Sequence, residues 1–146
     1  MGTEKRKYKM KNIKYHKALA ERLKNRIVKK YDLSDYVKTL KVKKINRGRS
    51  IYKSGFISIP KWSIENKRYF VYYVLHELTH FIIYKKEKEK ILPDNVNTHG
   101  IEFKSIEKDL LYNYGIKVIY KKAYPKYLTD RQGKIICEEH GKKYKG

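Results

Sequence analysis

The stretch Val71-Tyr-Tyr-Val-Leu75-His76-Glu77-Leu78-Thr79-His80-Phe81-Ile82 decides the fold of this chain. Val71, Leu75, Leu78 and Ile82 recur at intervals of four, three and four residues, which makes one apolar stripe on a helix. On that helix His76 and His80 lie about 40° apart and one turn from each other, so both imidazoles project beside the stripe in one direction. Two nitrogens so placed can share one metal ion. Glu77 is turned about 100° from His76, close enough to reach a water on that ion without being its ligand, which is the position of a general base. A packed stripe would hold these groups rigidly at the edge of a core. The plain alternative is a pair of helix histidines that cap a core and bind nothing.

The chain has 146 residues and a mass of 17.6 kDa, one domain's worth, enough to bury about two-thirds of its unfolded surface around a single core. No apolar run reaches the roughly 18 residues that suggest a membrane span, and the longest, Tyr69 to Leu75, is broken by tyrosines. No apolar segment with a cleavage site follows the basic N-terminus, so the expected location is the cytoplasm; association with the nucleoid or DNA there is expected from the basic charge. Cys137 is the one cysteine, which excludes an intrachain disulfide and suits a reducing compartment.

The net charge of +22 comes from 37 Lys and Arg against 15 Asp and Glu, and it makes a polyanion the expected partner. The competing explanation is an AT-rich genome, whose lysines are merely solvated. Only seven of the cations are Arg, so guanidinium forks for base edges are scarce. Phosphate contact with DNA without sequence preference is the expectation. The fifteen tyrosines interleave with lysine, as in Tyr120-Lys-Lys-Ala-Tyr124 and Pro125-Lys-Tyr127. A few can stack on unpaired bases, while most belong to the core or its rim.

Residues 1–12 form a charged, frayed tail in this reading, and Leu19, Leu23, Ile27 and Tyr31 then mark an amphipathic basic helix over 13–31, with His16 on its surface. Alternation in Leu40 to Ile45, turn residues at Asn46-Arg-Gly48, and Ile51, Phe56, Ile57 and Ile59 before Pro60 indicate two or more antiparallel strands. Ser63 is the expected N-cap of the histidine-bearing helix, placed over about 65–84. A charge run follows, and then a loop at 91–97. A second helix spans about 99–114, with Phe103, Ile106, Leu110 and Leu111 at helical spacing and Gly115 as its stop. A short strand at 116–120 comes next, with one more strand around Ile135 and Ile136 before a basic tail at 137–146. The fold class is α+β: one domain over 13–136, its helices packed on a short, mostly antiparallel sheet.

Catalytic zinc usually takes three protein ligands, so a further donor is expected downstream of His80. His99 fits best, 19 residues on and at the start of the second helix. Glu102 is the alternative ligand, or else a carboxylate that holds a ligand histidine from behind. Ile83 and Lys86 stand where a metzincin carries its glycine and its third histidine, which argues against that class.

His76-Glu-Leu-Thr-His80 followed by His99-Gly100-Ile-Glu-Phe103 resembles the SprT-like or Spartan metalloproteases, in which HExxH is followed by HGxxF at the start of a helix. The likeness extends over roughly residues 35 to 120, and includes Ser54 to Pro60 before the first helix and Tyr114-Gly-Ile116 after the second. It implies a small zincin, with His76, His80 and His99 as zinc ligands, Glu77 as base, and proteins trapped on DNA as substrates. Several such proteases carry a C-terminal zinc ribbon of four ligands, whereas this chain offers only Cys137 and His140.

The expected activity is therefore that of a zinc-dependent metalloendopeptidase. An extended substrate would pair with the strand near Ser50 to Ile59. The developing oxyanion would take a hydroxyl from Tyr124 or Tyr127. Two rivals use the same residues otherwise. One is a nucleic-acid-binding module whose structural zinc is held by His76, His80, Cys137 and His140. The other is a degenerate, non-catalytic protease scaffold.

Overall fold

A computed structural model describes residues 2–92, 99–121 and 124–137, with side chains for 12–92, 99–121 and 125–136. The longest helix, α1, runs from Gly2 to Tyr31, so 2–12 continue the helix rather than forming a separate tail. Nothing between Thr3 and Tyr31 breaks a helix: the stretch has no Gly or Pro and is rich in Lys, Arg, Leu and Ala. Its buried stripe is His16, Ala20, Leu23 and Ile27. His16 is thus a core residue and not a surface one, because it continues the four-three-four spacing of its apolar neighbours. Its ring meets Phe70 edge-on at 4.9 Å, and its Nδ1–H donates to the Asn12 carbonyl.

Three strands follow, β1 (Thr39–Lys43), β2 (Arg49–Ile51) and β3 (Phe56–Pro60), in the order β1-β3-β2. β2 and β3 pair as an antiparallel hairpin, with Ser50 opposite Ile57. β1 lies along the other side of β3 and runs parallel to it, with Leu40 opposite Ile57. The two antiparallel strands expected here are β2 and β3, and the parallel strand beside them is the addition. The chain leaves β1, passes β3's place in the sheet and returns into it from the far edge, a non-local pairing that alternation along one strand does not encode.

The central helix α2 spans Lys67–Lys88. Its N-cap is Asn66, whose side chain accepts from Tyr69 N at 3.3 Å. Ser63 instead sits in a short 3-10 turn over Lys61–Glu65, and its hydroxyl donates to the Pro60 carbonyl at 2.7 Å. Every residue from Tyr69 to Ile83 is buried, so α2 is a helix enclosed on all sides rather than one with a single apolar stripe. It packs against α1, β2 and β3, and against two later elements, α3 (Ile101–Asn113) and β6 (Ile135–Cys137). Gly115, at φ 78°, takes the left-handed conformation that ends α3, and Ile116 N bonds back to the Leu111 carbonyl.

A second, antiparallel sheet follows α3: β4 (Lys117–Lys121), β5 (Tyr124–Thr129) and β6, in that order. The described residues form an α+β domain of three α-helices on two small, mostly antiparallel sheets, where the sequence suggested one sheet. No helix among the described residues is long and apolar enough to cross a membrane.

Candidate metal centre

His76 and His80 leave the same side of α2, and His99 comes to meet them from the residue before Gly100, the N-cap of α3. One nitrogen from each lies within 4.8 Å of the others. The His76 and His80 rings are 4.9 Å apart and perpendicular, at 89°; His99 lies 5.4 Å from His76 and 4.9 Å from His80. Phe103, one turn into α3 and 1% exposed, touches all three rings with centroid distances of 4.6 to 5.1 Å. The HGxxF spacing thus has a physical meaning: Gly100 starts the helix, and Phe103 becomes the wedge that sets the imidazoles.

The histidine behind which a carboxylate stands is His76, and the carboxylate is Glu107. Its Oε2 contacts His76 Nδ1, and its Oε1 accepts from the Tyr120 hydroxyl at 2.6 Å. Glu107 is fully buried, and the Tyr72 hydroxyl also reaches His76 Nδ1 at 3.3 Å. With Nδ1 held from behind, Nε2 is the nitrogen His76 presents beside Glu77, 3.9 Å from its carboxylate. Glu102 is exposed on α3 and takes neither of the roles foreseen for it. Glu107 lies four residues past Phe103 and three before Leu110, on the stripe that packs into the core.

The charges of these groups follow from burial and from one another. Burial alone would lower the pKa of His76, but the charge and hydrogen bond of Glu107, with the charge of Glu77, outweigh it and raise the imidazole above its usual value. His80 is lowered to about 2, by burial and then by His76 and His99. His99 is lowered to about 4, chiefly by burial and by His76. Both are neutral near pH 7, the form that ligates a metal. Glu77 is raised above the ordinary carboxylate value, with burial as the largest cause, opposed by His76 and by the Ser50 hydrogen bond.

Glu77 is held from outside α2. Ser50 Oγ lies 3.0 Å from both the Glu77 carbonyl and its Oε1, and it donates to them from edge strand β2. Gly48 passes so close that a Cβ there would sit 2.8 Å from Glu77 Oε2. Trp62 fixes that loop by donating to the Asn46 carbonyl at 3.1 Å. A cavity of about 390 Å³ opens in front of these groups, lined by the three histidines, Glu77, Arg47, Arg49, Tyr52 and Tyr73 among others.

Tyr127 lies elsewhere. It stands opposite Ile119 across β4 and β5, on the exposed face of that sheet, whereas Tyr120 faces Glu107. The Tyr124 side chain falls outside the described residues, as does His140. Cys137 follows Ile136, whose carbonyl accepts from Asn66 at 3.3 Å. That contact sets this part of β6 at the start of α2, about 15 Å along the axis from His76. The cluster that forms among the described residues is His76, His80 and His99; the Cys137 side chain lies outside them.

No protein-family model, curated protein or solved structure matches this chain. The assignment of the centre rests on its own residues.

Proposed function

We propose that the protein is a zinc-dependent metalloendopeptidase of SprT-like type, acting in the cytoplasm on proteins associated with or crosslinked to DNA. The observation that carries this reading is the convergence of three imidazole nitrogens within 4.8 Å beside a buried, restrained glutamate. The donor set suits zinc, since three neutral histidines are a common catalytic ligand set and leave one position open. Bound there, zinc would supply Lewis acidity and bring the pKa of water toward neutrality.

The chain's own groups do the rest. Glu77 takes a proton from the attacking water and returns it to the leaving amine, and its raised pKa suits both transfers. Ser50 and Gly48 fix the direction in which its carboxylate points. Glu107 holds His76 in the tautomer that keeps Nε2 free. β2 is the edge of its sheet beside α2, so an extended peptide can add to it by main-chain hydrogen bonds across the cavity. Tyr52 takes the place of Tyr127 as hydroxyl donor to the developing oxyanion, the Tyr124 side chain lying outside the described residues. It lines the cavity, its ring is held parallel to Tyr84 at 4.5 Å, and burial followed by the charge of Glu77 raises its pKa to about 12, so it stays protonated.

The test is Glu77→Gln. Zinc stoichiometry should stay near one per chain, while cleavage of an unfolded protein substrate falls by at least about a hundredfold. Cleavage retained at the wild-type rate would remove Glu77 from the reaction.

A further inference from the structure

On the side of α2 away from the histidines, a second cleft of about 510 Å³ opens between α1, the first turns of α2 and the turn after α3. Four cations rim it: Arg22 and Arg26 from α1, Lys67 and Arg68 from α2. Arginine is scarce in this chain, seven residues in all, and three of them meet here. Leu19, Val71 and Ile116 form an apolar floor, and among the described residues no acidic side chain lines the cleft. Asp130 approaches only Arg68, at 3.7 Å. Arg26 is steadied by the Tyr114 hydroxyl at 3.4 Å. Lys67 lies over the ring of Tyr15, which is 44% exposed.

The cleft is distinct from the metal centre. Successive steps of about 100° put Lys67, Arg68 and Val71 on the opposite side of α2 from Tyr73, His76, Glu77 and His80, with the two groups about 12 Å apart along the axis.

We infer that this cleft binds the sugar-phosphate backbone of an unpaired nucleic-acid strand. Guanidinium groups match phosphate oxygens with paired N–H donors, and three of them on two helices can follow successive phosphates. The apolar floor and the rings of Tyr114 and Tyr15 offer surfaces for bases, which an acidic peptide would not need. The net charge of +22 draws such a strand from a distance, and the arginines give it a place. This deepens the DNA-associated part of the proposed function and does not depend on peptide hydrolysis. It puts the strand on the side of α2 away from the cavity that would receive peptide, so both can be held at once.

The experiment measures anisotropy of a labelled single-stranded oligonucleotide against the full chain over a range of salt. Arg22→Gln/Arg26→Gln/Arg68→Gln should raise Kd at least tenfold and reduce the slope of log Kd against log salt by about two, since each phosphate contact on a single strand contributes about 0.7. Lys41→Gln/Lys44→Gln/Lys121→Gln removes the same charge from exposed positions outside the cleft and should change Kd less than about threefold. Both triples should melt at the wild-type temperature, because all six side chains are exposed. Equal loss in the two triples would overturn the inference, as would displacement by polyglutamate as effective as by unlabelled oligonucleotide, or no binding at low salt. Cleavage of a free peptide is measured on the same proteins: its absence in the wild type counts against the hydrolase reading alone, and its persistence in the arginine triple is expected.

Discussion

Replacing Glu107 by Gln keeps the shape of a fully buried side chain and removes its charge and one of its two acceptor oxygens. In the native site both oxygens are engaged, one by His76 Nδ1 and the other by the Tyr120 hydroxyl at 2.6 Å. A carboxamide has a single acceptor for those two donors, and its NH2 would face either an N–H or a hydroxyl. Tyr120 has an outlet, the Lys104 carbonyl at 3.5 Å, whereas among the described residues His76 has no comparable one beyond the Tyr72 hydroxyl. The imidazole therefore loses its anionic partner and some of its hold on the productive tautomer. Removing such a partner costs about 10- to 100-fold in metal affinity, or about 1.4 to 2.7 kcal/mol. The assay is zinc titration against a competing chelator at pH 7.5. Tyr120→Phe removes only the outer hydrogen bond, and should weaken zinc by less than about threefold. Wild-type affinity in Glu107→Gln, or an equal effect in Tyr120→Phe, would refute the role given to Glu107.

Zinc uptake should depend on pH through His76 above all, since His80 and His99 remain neutral down to mildly acid pH. With its pKa raised, His76 is protonated below that value and the proton competes with the metal. Affinity should then fall about tenfold per pH unit on acidification, and Glu107→Gln should move this limb to lower pH; a flat profile from pH 8 to 5.5 would contradict it. Gly48→Ala should lower kcat at least about tenfold with zinc stoichiometry unchanged, because the new methyl meets Glu77 Oε2 at 2.8 Å and displaces the carboxylate. Wild-type turnover in that variant would show that the loop yields and does not position Glu77.

The centre was legible in the sequence wherever its geometry is local. His76, Glu77 and His80 are set by helical spacing alone, and His99 with Phe103 by the start of a helix. Glu107 lies on the apolar stripe of α3, where sequence alone reads a carboxylate as solvated; its burial depends on a histidine 31 residues earlier. Ser50 and Gly48 reach Glu77 across 27 and 29 residues, and no pattern within β2 announces that contact. The N-cap moved from Ser63 to Asn66 because the Pro60 carbonyl engages the Ser63 hydroxyl in a tighter turn. The parallel placement of β1 beside β3 and the division into two sheets are likewise tertiary facts. So is the enclosure of α2: its tyrosines at 69, 72 and 73 interrupt an apolar run in the sequence yet are all buried.

The proposed hydrolysis depends on a metal held by His76, His80 and His99. Metal content of the purified protein, measured for the wild type, His99→Ala and Cys137→Ser, tests it most directly. One zinc per chain is expected in the wild type and in Cys137→Ser, with zinc lost from His99→Ala. Full zinc in His99→Ala, or its loss in Cys137→Ser, would contradict it.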